Sequence, residues 1–207
     1  MKKTFFLISY IWLSICLAGP VFAAKEAVVV VSCAGRADVV PDERTGSVGC
    51  VPGMLLNEGA KISTGEESYV FLAFDRSKNN TAKAGGNSET VLGSWPGYMV
   101  ELLTGDMTVS LKDPGGKRVF RVKTPETVCA AKKSGWNIKT GGGVTTVSVL
   151  EGKVIIRGLN DDGSALEGEV TAEGGYEVKI ERSRHPGLPE RIPPERLENR
   201  KKAFGAL

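Results

Sequence analysis

Leu103-Thr104-Gly105-Asp106-Met107-Thr108-Val109 and Leu150-Glu151-Gly152-Lys153-Val154-Ile155-Ile156 follow one plan: a leucine, a glycine turn, then an apolar strand. Leu56-Asn57-Glu58-Gly59-Ala60-Lys61-Ile62 is a third copy, and the three glycines lie 46 and 47 residues apart. A shorter echo stands at Glu173-Gly174-Gly175-Tyr176-Glu177-Val178. In such a unit a period of two sends alternate side chains to a core and to water. Glycine supplies the backbone conformations that a Cβ forbids. A unit this small buries its apolar face only against a neighbour. The spacing therefore predicts an all-β chain folded as a β-solenoid-like stack of short strands and hairpins.

Outward from these copies the strand signal continues. Val28 to Val31 is a β-branched run, Phe120 and Val122 alternate with Arg121 and Lys123, and Tyr176, Val178 and Ile180 alternate with Glu177 and Lys179. Gly141-Gly142-Gly143 precedes a strand rather than a helix, so it is read as a hairpin turn and not as a phosphate cradle. Between Ser77 and Glu89 the lysines, asparagines and paired glycines predict a solvated loop. After Arg182, Pro186, Pro189, Pro193 and Pro194 predict an extended linker that folding does not require. Pro194 is placed to open a short terminal helix over Glu195 to Ala203, with acids early and Arg200, Lys201 and Lys202 late, as the helix dipole favours.

The N-terminus is a targeting segment by its order: Lys2-Lys3, an apolar stretch from Phe5 to Ala18, then Pro20-Val21-Phe22-Ala23. Val21 and Ala23 suit the two small pockets of a signal peptidase. Residues 1–23 are thus expected to be a signal peptide, residues 24–181 an all-β domain and residues 182–207 a proline-rich basic tail. The expected location is periplasmic or secreted, with no transmembrane span left after cleavage. The full chain of 207 residues carries 27 basic and 24 acidic side chains, and losing Lys2 and Lys3 brings the balance close to neutral. Such a surface argues against nucleic acid. Residues 181–207 alone are basic, with seven cations against four acids.

Catalytic material is scarce. His185, the single histidine, lies in the tail, so a Ser-His or Cys-His nucleophile system has nothing to be built from. One histidine and scattered cysteines do not make a metal cluster. Asp161-Asp162-Gly163-Ser164 has the first residues of a calcium loop without the remaining ligands and is read as a turn. No catalytic, metal or cofactor site is expected, and the chain is read as non-enzymatic. Trp95 and Tyr98 in a Trp-Pro-Gly-Tyr turn, with Lys132 and Lys133, are the candidate interaction surface, and Trp136 is a further aromatic of interest. Cys33 and Cys50 bracket a turn-rich segment holding Pro41, Gly46 and Gly49, so they are the candidate disulfide. Cys129, between Val128 and Ala130, is expected to be a buried free thiol.

Taken together, Gly53 to Gly65, Tyr69 to Asp75, Glu101 to Val109, Phe120-Arg121-Val122-Lys123-Thr124-Pro125 and Thr145 to Val154 resemble a FecR-type periplasmic domain. The resemblance spans about residues 27 to 180. Members of that family usually show Asp-Gly-Ser where this chain has Asp75-Arg76-Ser77. They also tend to read Arg-Gly-Thr-Glu-Phe where Lys132-Lys133-Ser134-Gly135-Trp136 stands. The sigma regulators of the family add a cytoplasmic anti-sigma segment and a transmembrane helix that this sequence does not show, so direct transmembrane sigma-factor control is not expected. What the resemblance implies is the stacked β fold and a role as a protein-interaction or sensing module in the bacterial envelope, with an envelope protein as partner. The rival expectation is binding of peptidoglycan or another polysaccharide through Trp95, Tyr98 and the basic tail.

Overall fold

The computed structural model describes residues 28–42, 45–93, 99–112 and 119–205. The segment read as a signal peptide, and Trp95 and Tyr98, lie outside the described residues. The first half of the chain supplies β1 (Val28–Ala34), β2 (Ala37–Val40), β3 (Val48–Gly49), β4 (Leu55–Leu56), β5 (Lys61–Thr64), β6 (Tyr69–Ala73), β7 (Asn80–Ala84) and β8 (Glu89–Leu92). Then follow β9 (Val100–Leu111), β10 (Phe120–Lys123), β11 (Thr127–Ala131), β12 (Ser134–Gly141), β13 (Val144–Gly158), β14 (Val170–Glu173), β15 (Tyr176–Glu181), β16 (Glu190–Arg191) and the helix α1 (Pro194–Gly205).

The strands form two facing layers. One runs β4-β1-β6-β7-β9-β12-β13-β15-β16, the other β3-β2-β5-β8-β9-β10-β11-β13-β14. The two long strands, β9 and β13, belong to both. Residues 100–104 of β9 pair in the second layer and 105–111 in the first. The chain of pairings β9-β12-β13-β11-β10 returns to β9 and closes a five-stranded barrel, to which the other strands are added.

That closure corrects the solenoid expectation. A solenoid coil pairs successive turns in parallel, whereas among the described residues β9 with β10 is the one parallel pair. Hairpins such as Gly142-Gly143, both at positive φ, reverse the chain tightly and impose antiparallel neighbours.

The recurring glycines have a structural meaning at the layer crossings. Gly105 and Gly152 sit where β9 and β13 pass from one layer to the other, at φ +100° and +74°. At each crossing a serine hydroxyl takes the next backbone N–H: Asp106 N–H donates to Ser88 Oγ (2.9 Å) and Lys153 N–H to Ser134 Oγ (3.0 Å). Between β1 and β2, Arg36 N–H donates to Ser68 Oγ (2.9 Å) in the same way, beside Gly35. Gly59, the third glycine of the sequence pattern, serves a turn instead, its N–H bonded to the Leu92 carbonyl (2.8 Å).

The core lies between the layers and is filled by the inward set of each strand. Met107, Val109 and Leu111 of β9 are buried, as are Ile138 of β12, Val147 and Val149 of β13, and Val178 and Ile180 of β15. Trp136 is fully buried, its ring 6.4 Å from Phe120, which meets Phe74 edge-on at 4.9 Å. Each such edge-to-face pair adds about 1 kcal/mol beyond the area it buries.

Two further expectations change. The polar stretch after Ser77 contains β7, with Ala82 and Ala84 buried between β6 and β9. Asp75 makes this possible by accepting the N–H groups of Asn79 (3.1 Å) and Asn80 (2.7 Å), which turns the chain back on itself. The proline-rich stretch also returns to the sheet. Gly187 N–H bonds to Lys179 O (3.0 Å), β16 pairs with β15, and Ile192 is buried with its N–H on Gly175 O (2.9 Å). Proline withholds a donor but leaves the neighbouring residues free to pair at an edge.

Candidate interaction cleft

β12, β13 and β15 turn Asn137, Lys139, Thr146, Glu177 and Lys179 away from the core, and the arm formed by residues 187–200 crosses above them. A cleft of about 320 Å³ remains between sheet and arm. Its floor is fixed. Asn137 Nδ2 donates to Asp106 Oδ2 (3.0 Å) and Thr108 Oγ1 (3.1 Å). Its roof is held through one carboxylate: Glu177 meets Arg196 at 2.6 Å and Arg200 at 3.3 Å, and accepts from Ser148 Oγ (3.2 Å). Arg200 also donates to Ser148. Glu177 is only 16 % exposed, so these contacts are partly shielded from solvent. Phe204 completes the contact by lying over Gly135, where a Cβ would collide with its ring.

Lys139, Lys179, Arg196 and Arg200 line this cleft with Glu177 and Glu190, and Lys179 is paired with Glu181 at 3.4 Å. Glu177 is already shared by two arginines. Lys139 stands exposed with no ion-pair partner among the described residues, and Leu188, 84 % exposed, lines the same cleft. The arrangement suits an anionic group flanked by an apolar one. It brings together no nucleophile and base, and among the described residues no three His, Cys, Asp or Glu side chains converge on a metal position.

A second polar cluster lies at one end of the barrel and is structural. Glu126, in the turn from β10 to β11, is 1 % exposed and accepts the hydroxyls of Thr140 (2.9 Å) and Thr145 (2.7 Å), with Arg182 at 3.7 Å. Thr145 is in turn 2.9 Å from the Thr124 hydroxyl. The carboxylate thereby ties the Thr124-Pro125 turn to the β12–β13 hairpin.

Cys33 and Cys50 are brought together, with Cys33 Sγ donating to the Cys50 carbonyl at 3.2 Å, and both are thiols. Burial, then the hydrogen bond and the charge of Cys33, push the Cys50 thiol up to about 12. Cys129 is fully buried on β11, which pushes its thiol up to about 12. Lys132 and Lys133 are exposed on the turn between β11 and β12 and do not line the cleft, and Trp136 belongs to the core. The cleft residues went unnoticed in sequence because Glu177 and the arginines that meet it are 19 and 23 positions apart, separated by a stretch that looks like a linker.

A closed barrel extended into two antiparallel layers, with a charged cleft beneath its C-terminal arm, defines an all-β module. Residues 58–155 match the family described as FecR protein, and this part of the chain is a FecR domain. The fold is shared with two crystal structures of a proposed anti-sigma factor from Parabacteroides distasonis ATCC 8503, at 1.65 and 2.50 Å resolution. Each gives a TM-score of 0.53 at 12 % identity over 67 % of this chain, and this chain spans 62 % of that protein's length. No curated protein sequence is significantly similar to the chain.

Proposed function

We propose that the chain is a non-enzymatic interaction and sensing module of the bacterial envelope, exported by residues 1–23, and that it takes an acidic segment of a protein partner in the cleft beneath its C-terminal arm. The carrying observation is that Lys139, which has no ion-pair partner among the described residues, and the exposed Leu188 line one cleft. The FecR domain supports a regulatory role. Charge at such a surface speeds encounter and selects partners, while the apolar neighbour supplies binding area.

A photo-crosslinking side chain placed at position 139 tests the reading in cells, with position 171 on the opposite layer as the control. Position 139 should capture a defined protein, and the adduct should disappear when Lys179 is replaced by Glu. Identical adducts from both positions would overturn the cleft. Co-sedimentation of the purified protein with insoluble peptidoglycan, lost in K139E, would hand the site to the polysaccharide reading. Sequencing the envelope-located protein should give Ala24 first; an intact Met1 would refute cleavage.

A further inference from the structure

At one end of the two layers the last strands are β3 and β4, two residues each. Val48, Val51 and Leu55 are exposed there, so this end gains little from packing. Cys33 is near the end of β1 in the first layer. Cys50 follows β3 in the second, held by its N–H on the Ala37 carbonyl (2.8 Å). The pair therefore spans the two layers, and the sulfur of one already touches the backbone of the other at 3.2 Å. Both side chains are half-buried against the core, whereas Cys129 is enclosed on β11 with β10 and β13 on either side.

We infer that Cys33 and Cys50 are a modification site, closed to a disulfide by exchange with a disulfide donor. The Cys33 sulfur already lies against the Cys50 backbone, so the two thiols need only a local rearrangement to reach bonding geometry. The Cys33 thiolate attacks one sulfur of the donor. The donor's S–S bond breaks, a mixed disulfide forms at Cys33 and one donor thiol leaves. Cys50 then loses its proton and attacks the Cys33 sulfur, releasing the second donor thiol. Two electrons pass from the cysteine pair to the donor, and the two protons leave with the donor as thiols.

The surroundings of Cys50 bear on the second step. Burial and its neighbour Cys33 both hold the Cys50 proton in place. Once Cys33 is bound in the mixed disulfide, its charge and its hydrogen bond no longer oppose ionisation of Cys50. The bridge closes a loop between positions 17 apart and ties β1 to the edge beside β3.

Oxidised glutathione is the probe. The purified protein is equilibrated with it, alkylated while folded, digested and mapped by mass. The expected product is a Cys33–Cys50 linked peptide two hydrogens lighter than its parts, with Cys129 alkylated only after denaturation. Cys50→Ser should instead trap glutathione on Cys33, and reduction should lower Tm by about 10 °C in the parent but not in this variant. Alkylation of both Cys33 and Cys50 after glutathione treatment, lasting glutathione on Cys33 in the parent, or a bridge to Cys129 would each overturn the assignment. None of these outcomes depends on the cleft.

Discussion

At Gly105 the chain turns from one layer to the other at φ +100°, and a Cβ there would stand 2.5 Å from the Ser88 Cα. Backbone strain of that kind costs about 1–3 kcal/mol, and the overlap with fixed backbone adds to it. Gly105→Ala should therefore destabilise by about 3 kcal/mol or more, read from the urea midpoint. Removing the Ser88 hydroxyl in the double variant S88A/G105A should not restore stability, because the obstructing Cα remains and Asp106 N–H loses its acceptor; recovery would show that only the side chain was in the way. Cys129 gives a pH signature at the same scale. Burial raises its folded value from 9.0 to about 12, so the folded chain keeps a proton that the unfolded chain releases. The stability this contributes is complete below pH 9 and declines as pH rises towards 12. Compared under reducing conditions, which leave the Cys50 contribution common to both proteins, Cys129→Ala should be less stable at neutral pH and should lose stability less steeply above pH 9. Equal slopes would mean the thiol is not shielded as its burial indicates. Glycines 105 and 152 were legible in the sequence as turns. Their partners Ser88 and Ser134 were not, since the serine in each crossing is 17 to 18 positions from its glycine and no periodicity relates them.

Among the elements, strands with β-branched alternation could be read directly: Phe120 to Lys123 and Tyr176 to Glu181 have the inward and outward faces their sequence assigns. β7 could not. Asn80-Thr81-Ala82-Lys83-Ala84 is poor in strand formers, and what makes it a strand is its place between β6 and β9, where small Ala82 and Ala84 fit the interior. The same override acts on the C-terminal arm. Proline and charge suggest a linker, but Ile192 is buried and Arg196 and Arg200 find Glu177. Burial of one isoleucine is worth about 1.5–3 kcal/mol. The surface ion pairs add less, and less again in salt. Deletion of residues 186–207 should thus lower Tm by about 5 °C or more, given about 2–4 °C per kcal/mol for a chain of this size. Glu177→Gln should produce a smaller drop that shrinks at high salt. An unchanged Tm in the deletion would restore the linker.

For the whole molecule, the decisive feature is that β9 and β13 serve both layers. Neither layer can separate without breaking the five-stranded ring, so pairing in one is conditional on pairing in the other. The FecR domain match covers residues 58–155, which takes in the ring, while β1 to β4 and β14 to β16 lie beyond it. Those outer strands continue the same two layers, β1 against β6 and β14 and β15 against β13, and they share the core through Val30, Ala172 and Val178. They therefore belong to one folding unit with the ring rather than to a flanking domain. Sequence periodicity reveals such strands one at a time, but closure depends on which distant strands meet, as β9 meets β12 and β11 meets β13. A unit of this kind should open as a whole. Native-state hydrogen exchange should accordingly give the amides of Val70 and Leu72 in β6 the same slowest opening free energy as those of Ile138 in β12. Short edge strands such as β3 and β4 should exchange sooner by local fraying. If β6 opened more readily than β12 by about 2 kcal/mol or more, a difference of roughly thirtyfold in exchange, the N-terminal strands would be a separable addition to the ring, and the single cooperative unit would be wrong.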